Sequence, residues 1–271
     1  MNKISRAFEN GKAFIAFITA GDPSIETTEE LILGMATAGA DLIEIGVPFS
    51  DPVAEGEVIQ RASSRALLAG TTVDKIFDMV KRIREKTDVP LAVMTYINPV
   101  FVYGTDKFMK KCSECGIDGV IIPDLPFEEK DEISPSCKEY DVSLISLIAP
   151  SSYERISTIA ASAEGFIYCV SSMGVTGVRS EINADIGEMI RLAKSKKDIP
   201  CAVGFGISTP EQAREMCELC DGVIVGSAIV KIVEEYGADS VKPVCDYVRT
   251  MKGAENREQR TDGGWHSREN Y

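Results

Sequence analysis

Three features of this 271-residue sequence predict a single α/β domain folded as a (β/α)8 barrel. Short apolar runs rich in β-branched residues alternate with amphipathic segments over most of the chain. The runs lack strict alternation of polar and apolar residues, which is typical of parallel strands covered on both faces. Eight such runs within roughly 250 residues fit this barrel. The alternative is an open doubly wound sheet, but no G-x-G-x-x-G motif follows the first run.

Each predicted strand is an apolar run bounded by turn-forming residues. The strands are residues 13–19, 41–46, 91–96, 117–123, 143–148, 166–171, 201–204 and 221–225. The segments between them predict helices, several of which follow a Ser, Thr or Asp that can cap the first turn. They include residues 24–38, 72–85, 106–115, 152–163, 186–196 and 209–219. The barrel domain therefore covers residues 1–251, and the polar residues 252–271 predict a disordered tail with Trp265 exposed to solvent.

The charge and hydropathy of the chain exclude several classes of partner. The formal net charge is -13, so duplex nucleic acid and anionic membrane surfaces are repelled on average. The N-terminus has no continuous apolar signal segment, and no later run reaches the roughly 18 apolar residues of a membrane span. We therefore expect a cytoplasmic protein that binds neither nucleic acid nor membrane.

Eight cysteines and one histidine restrict the chemistry. Most of the cysteines lie in apolar segments of a large chain, so we expect reduced thiols. Two C-x-x-C pairs, Cys112 with Cys115 and Cys217 with Cys220, resemble zinc ligands, but they precede predicted strands on opposite sides of the barrel. We therefore expect no metal site. His266 lies in the tail, so acid–base chemistry must come from other side chains.

Glu44 is the first candidate catalytic residue, because it lies within the apolar residues 42–45 at the end of the second strand. Burial of an ionised carboxylate without a partner costs several kcal/mol or raises its pKa. A raised pKa suits a general acid or base. The alternative is a structural carboxylate held by a backbone amide or an arginine.

Two glycine-rich turns predict a phosphate site. Residues 204–208 follow the seventh strand, and Gly226 with Ser227 follows the eighth strand and opens a short helix. Glycines allow close approach of the backbone, and free N–H groups at a helix start bind anions without a basic side chain. Many barrels bind phosphate at this place, although glycines also form plain tight turns. Residues 174–177 predict a mobile loop after the sixth strand, with an ordinary surface loop as the alternative.

Taken together, the motifs resemble the α subunit of tryptophan synthase from about residue 14 to residue 233. They are FITAGDP at 17–23, EIGVPFSDP at 44–52, DLP at 124–126, GVTG at 174–177, GFGIS at 204–208 and GSAIV at 226–230. The resemblance implies a cofactor-free barrel that cleaves indole-3-glycerol phosphate to indole and glyceraldehyde 3-phosphate in tryptophan biosynthesis. It also implies that indole passes to a β subunit carrying pyridoxal phosphate, within an α2β2 heterotetramer.

The same resemblance implies roles for individual residues. Glu44 is the general acid–base at indole C3 and the adjacent hydroxyl, position 55 supplies a second carboxylate, and Tyr168 lies in the active site. Other implied positions are Gly177, Gly206, Gly226 and Ser227 around the phosphate, Phe17, Tyr96 and Phe205 around the indole, and Asp51 and Thr176 in mobile loops. Docking of the β subunit is expected to order those loops.

One segment departs from the family pattern. Glu55-Gly56-Glu57 stands where the commonest form has Asp-Gly-Pro. Glu55 keeps the charge but reaches one methylene further, and a misplacement of about 1 Å can cost on the order of 10²-fold in rate. Glu57 removes a proline constraint. Three alternatives therefore stay open: a non-catalytic partner that activates the β subunit, a free-standing indole-releasing lyase, and a barrel for another sugar phosphate, which the EIGVPFSDP stretch disfavours.

Overall fold

The strands form one parallel ring, which confirms the predicted (β/α)8 barrel. The computed structural model describes residues 3–170, 179–204 and 206–255. The strands are β1 Ala13–Thr19, β2 Leu42–Gly46, β3 Leu91–Met94, β4 Gly119–Ile121, β5 Ser143–Leu144, β6 Ser146–Ile148, β7 Ile167–Val170, β8 Cys201–Gly204 and β9 Gly222–Val225. Their order is β5-β4-β3-β2-β1-β9-β8-β7-β6, with parallel pairing throughout.

The fifth predicted strand, residues 143–148, is divided into β5 and β6. The segment β5 pairs with β4, whereas β6 pairs with β7. Only Ile145 separates them, and its N–H donates a hydrogen bond to the Val120 carbonyl at 2.9 Å. The predicted strand at residues 143–148 is therefore present, but its hydrogen-bond ladder changes partner at Ile145. This change brings the two ends of the strand order together and closes the ring.

Helices cover the outside of the ring, except for the first, whose Ile4 packs against the inner core beside Gly119 and Gly165 at the N-terminal ends of the strands. They are α1 Lys3–Arg6, α2 Ile25–Ala38, α3 Glu57–Leu68, α4 Val73–Arg84, α5 Ile97–Tyr103, α6 Thr105–Cys115, α7 Ser134–Glu139, α8 Ile156–Ser162, α9 Arg179–Lys194, α10 Pro210–Cys217, α11 Ser227–Tyr236 and α12 Val241–Glu255, with 3-10 turns at Phe127–Glu132, Pro150–Arg155 and Gly237–Ser240. Ser24, Thr72 and Thr209 cap α2, α4 and α10 by accepting backbone hydrogen bonds, as their residue types predict. Within the described ranges, none of these helices has the length and apolar character required to cross a bilayer.

The last helix extends further than the sequence indicates. The predicted tail begins at residue 252, but α12 continues to Glu255. Met251 is buried, and the Lys252 ammonium donates hydrogen bonds to Asp41 at 2.5 Å and to the Lys12 carbonyl at 2.9 Å. These contacts hold the end of the helix on the barrel. Residues 256–271, including Trp265, lie outside the described residues.

Side chains of the strands alternate between a core inside the ring and a core under the helices. On β2, Leu42 belongs to the inner core, whereas Ile43 and Ile45 belong to the outer core. The inner core consists largely of Ala13, Ile15, Leu42, Ala92, Ile121, Ile145, Phe166, Ala202 and Ile224. Because alternate residues of a strand share a face, Glu44 lies inside the barrel, nearer its C-terminal end than Leu42.

All eight cysteines are buried and outside disulfides. One C-x-x-C pair precedes β4 and the other precedes β9, and these strands lie on opposite sides of the ring. Burial raises the pKa of the Cys115 thiol to about 11. In the described part of the chain, no group of three or more His, Cys, Asp or Glu side chains is placed to hold a metal ion.

Candidate active site

A cavity of about 640 Å³ opens at the C-terminal ends of the strands. Its volume lies in the range of small-molecule sites. Apolar side chains that point into the barrel form part of its wall. They are Phe17, Met94, Leu147 and Ile224. Active sites of this fold occupy this end of the barrel.

Glu44 has no exposed surface, and neither carboxyl oxygen has a hydrogen-bond partner among the described residues. Burial raises the pKa of its carboxyl to about 8. The structural alternative required a backbone amide or an arginine to hold the carboxylate, and the described residues provide neither. At neutral pH the group is therefore mostly an uncharged carboxylic acid that can donate a proton.

The neighbours of Glu44 form the wall of the cavity, although Glu44 itself does not reach it. Phe17 is its register partner on β1 and lines the cavity. Tyr168 on β7 lines the cavity as well and lies close enough for the charge of Glu44 to raise the tyrosine pKa. The carboxyl of Glu44 thus lies directly behind the cavity wall.

Tyr168 reaches the cavity because the neighbouring strand carries a glycine. Burial, followed by the charge of Glu44, raises the pKa of its hydroxyl well above the ordinary value, so the hydroxyl keeps its proton. A Cβ atom at Gly204 on β8 would overlap this hydroxyl. Gly204 therefore gives Tyr168 the space that it occupies.

Glu55 lines the cavity from the loop after β2. Burial raises the pKa of its carboxyl to about 7. Two hydrogen bonds anchor the loop: the Ala54 N–H donates to the Tyr96 hydroxyl at 3.0 Å, and Gln60 Nε2 donates to the Glu55 carbonyl at 2.7 Å. Tyr96 is buried and supports the loop rather than lining the cavity, so its role in an indole pocket stays a prediction.

The two glycine-rich turns meet at the cavity, as expected for a phosphate site. Gly206, Gly226 and Ser227 all line it, and Ser227 is the first residue of α11. The first N–H groups of a helix have no partner within the helix. Lys231, four residues after Ser227, lines the cavity as well. Lys231 is not among the residues predicted from the sequence, although a spacing of four on a helix places it on the face of Ser227.

The remaining predicted positions are not tested by the structure. Phe205, Thr176 and Gly177 lie outside the described residues. Asp51 lies in the loop after β2, where its carboxylate accepts a hydrogen bond from the Ser50 hydroxyl at 2.5 Å. The mobility of that loop stays a prediction.

Comparison with known proteins gives one consistent family. The family model described as "Tryptophan synthase alpha chain" matches residues 4–259. The tryptophan synthase alpha chain of Caldanaerobacter subterraneus subsp. tengcongensis is 48% identical over 259 residues, which covers 93% of this chain and 99% of that protein. The chain from Lacticaseibacillus casei is 49% identical over 233 residues, 86% of this chain and 88% of that one. The solved alpha subunit from Legionella pneumophila str. Paris superposes with a TM-score of 0.86 at 36% identity, covering 95% and 99% of the two chains.

Burial of Glu44 predicts a pH-dependent difference in stability between the wild type and Glu44→Gln. The unfolded carboxyl has an ordinary pKa near 4.5 and the folded one about 8. Between these values the folded state holds a proton that the unfolded state has lost, so this group lowers wild-type stability as pH rises. The unfolding free energy of Glu44→Gln relative to the wild type should therefore increase by roughly 2–4 kcal/mol from about pH 5 to about pH 8.

Urea unfolding at three pH values measures this difference. Glu235→Gln is the control, because Glu235 is exposed on α11. The same pH dependence in the wild type and Glu44→Gln would contradict the burial of an ionisable group at position 44.

Proposed function

The chain belongs to the family of tryptophan synthase alpha chains, and on that basis we propose that its cavity binds indole-3-glycerol phosphate and cleaves it to indole and glyceraldehyde 3-phosphate. The enzyme is then a carbon–carbon lyase of tryptophan biosynthesis. The observation that carries the proposal is the buried carboxyl of Glu44, without a hydrogen-bond partner among the described residues, behind the wall of a cavity that also holds a phosphate-type turn.

The reaction requires two proton transfers and, at a third position, a hydrogen-bond acceptor. Indole C3 must gain a proton, and the hydroxyl next to the breaking carbon–carbon bond must lose one as the aldehyde forms. The indole N1–H must meet an acceptor while the protonated ring carries positive charge. No proton is gained or lost overall. One carboxyl group can therefore serve C3 and the hydroxyl in turn, and a second can accept the N1–H hydrogen bond. Pyridoxal phosphate is expected in the partner β subunit.

Glu44 suits both transfers on the C3 side. With a pKa of about 8, its carboxyl carries a proton at neutral pH and can donate it to C3. The resulting carboxylate then takes the proton of the hydroxyl as the carbon–carbon bond breaks. Glu44 ends the reaction uncharged, as it began.

Access to Glu44 requires a side-chain movement. Its carboxyl has no exposed surface, so we infer that bound substrate turns it outward past Phe17 and Tyr168. The movement breaks no hydrogen bond to any described residue. The uncharged hydroxyl of Tyr168 is then placed to hold the rotated carboxyl by a hydrogen bond.

Glu55 suits the N1 side. A pKa of about 7 leaves the carboxyl partly ionised at neutral pH, so it can accept the N1–H hydrogen bond. The departure at Glu57 is compatible with the loop, because Glu57 is the first residue of α3. Helices accept both proline and acidic residues at their first positions. The start of α3 therefore does not depend on proline.

An apolar surface beside the cavity supports docking of a β subunit. Val53 in the loop after β2 is 79% exposed, and Phe101 and Val102 on α5 are 46% and 81% exposed. The hydrogen bond from Ala54 to Tyr96, the residue before α5, connects these two segments. Exposed apolar clusters mark interaction sites. A relative from Pyrococcus furiosus, 32% identical with a TM-score of 0.82, was solved as a tryptophan synthase complex.

Amide variants test the two carboxyl roles. Glu44→Gln should lower kcat by about 10³-fold and Glu55→Gln by about 10²-fold, because each removes a proton-transfer group. Glu57→Gln is the matched control and should stay within about twofold of the wild type, since its side chain is exposed. Indole release from indole-3-glycerol phosphate is measured with and without a β subunit.

Full activity in Glu44→Gln would remove the mechanism, whereas full activity in Glu55→Gln would remove only the second role. A wild-type chain that activates a β subunit without cleaving the substrate would instead support the non-catalytic alternative.

Substitution on the apolar surface tests the proposed partner. Val102→Asp places a charge where an apolar contact is expected and should weaken β-subunit binding by about tenfold, as at an interface hot spot. Leu219→Asp is the control, because Leu219 is 36% exposed but lies between α10 and the start of β9, at the N-terminal end of the barrel. Calorimetric titration of each variant with a β subunit measures the affinity. Equal weakening by both variants would contradict the proposed docking surface.

A further inference from the structure

Lys231 is the only lysine or arginine among the described residues that line the cavity. It lies on α11, four residues after Ser227, and its side chain is exposed. Helical side chains lean toward the N-terminus of their helix and cover the preceding turn. Lys231 therefore shares the helix face of Ser227, and both residues line the cavity at the start of α11.

The acidic neighbours of Lys231 do not neutralise it. Glu234 and Glu235 lie three and four residues further on, at the spacing of helical ion pairs. Nevertheless, neither carboxylate forms an ion pair with Lys231 in the described structure. The ammonium is available to an anion in the cavity.

Two arginines from α3 account for this availability. Arg61 donates through Nε and Nη2 to the two carboxyl oxygens of Glu234 at 2.8 and 2.9 Å, and Arg65 Nη1 donates to one of them at 2.8 Å. Arg65 is fixed in turn by two hydrogen bonds to the buried carboxylate of Asp22, at 2.9 and 2.8 Å. Bidentate arginine–carboxylate pairs are strong and directional. Glu234 is thus held on the side of α3.

We propose that Lys231 is a substrate-binding residue that contacts the phosphate group at the start of α11, and that Arg61 and Arg65 keep it available by holding Glu234. This inference rests on the proposed function, which supplies the phosphate. It goes beyond that function because the turn motif alone would bind phosphate through backbone N–H groups. In a chain of net charge -13, one cation at the cavity offsets the repulsion that a phosphate dianion would otherwise meet.

Phosphate binding by charge variants tests the role of Lys231. Lys231→Met removes the charge, Lys231→Arg keeps it, and Lys242→Met is the control because Lys242 is 87% exposed on α12. Calorimetric titration with inorganic phosphate and with glyceraldehyde 3-phosphate gives the dissociation constants. Lys231→Met should weaken both by about fivefold to tenfold at about 50 mM salt and by less at about 200 mM, because exposed charges are screened. Lys231→Arg should stay within about twofold of the wild type.

The kinetic signature separates binding from chemistry. Lys231→Met should raise KM for indole-3-glycerol phosphate by the same factor and leave kcat within about twofold, because the phosphate is remote from the bond that breaks.

Unchanged phosphate binding in Lys231→Met would overturn the proposal, as would equal weakening in Lys242→Met. A wild-type chain that binds no phosphate would overturn it as well. If the wild-type chain binds phosphate but does not cleave indole-3-glycerol phosphate, only the proposed reaction is contradicted. The dissociation constants of the variants then still test the role of Lys231.

A double variant tests the role of the arginines. Arg61→Met frees one side of Glu234, so phosphate should bind about twofold to threefold more weakly as Glu234 competes for Lys231. Adding Glu234→Gln removes the competitor and should restore wild-type binding. Unchanged binding in Arg61→Met, or no restoration in the double variant, would overturn this part of the proposal.

Discussion

The carboxyl of Glu44 lies inside the barrel with no exposed surface and no described hydrogen-bond partner, and the proposed chemistry depends on its desolvation. Removal from water disfavours the charged form, so the acid keeps its proton at a pH where an exposed glutamate would have lost it. The barrel creates this environment through the apolar side chains around Glu44 on neighbouring strands. The packed side chains of the barrel thus replace water around the carboxyl of Glu44.

The two ends of the cavity favour opposite charge states. Near Glu44 and Glu55, burial favours uncharged carboxyls that can exchange protons. At the start of α11, backbone N–H groups and the ammonium of Lys231 favour a fixed negative charge. A substrate with an apolar ring at one end and a phosphate at the other matches this arrangement. The local N–H groups and the ammonium of Lys231 offset the repulsion between a phosphate and a chain of net charge -13.

Much of the fold and part of the site follow from local sequence patterns. Strand runs, caps and the turn at Gly226 are local, and the structure has them close to their predicted places. A carboxylate within an apolar strand is also a local pattern, and it predicts Glu44 as a candidate catalytic residue. The break at Ile145 could not be predicted, because it depends on which neighbour each half of the strand meets. The contact of Tyr96 with the loop after β2 joins distant parts of the chain, so its supporting role required the structure. For Lys231 the spacing from Ser227 is a local signal, but that this face of α11 lines the cavity depends on how the helix packs.

The protonation state of Glu44 tests the proposed mechanism most directly. Carboxyl carbon-13 NMR of protein labelled at glutamate follows the titration, and the resonance that disappears in Glu44→Gln identifies the group. Burial without a hydrogen-bond partner predicts an apparent pKa of about 8 for Glu44. A titration near the ordinary value of 4.5 would mean that the group is ionised at neutral pH and cannot be the proton donor at C3.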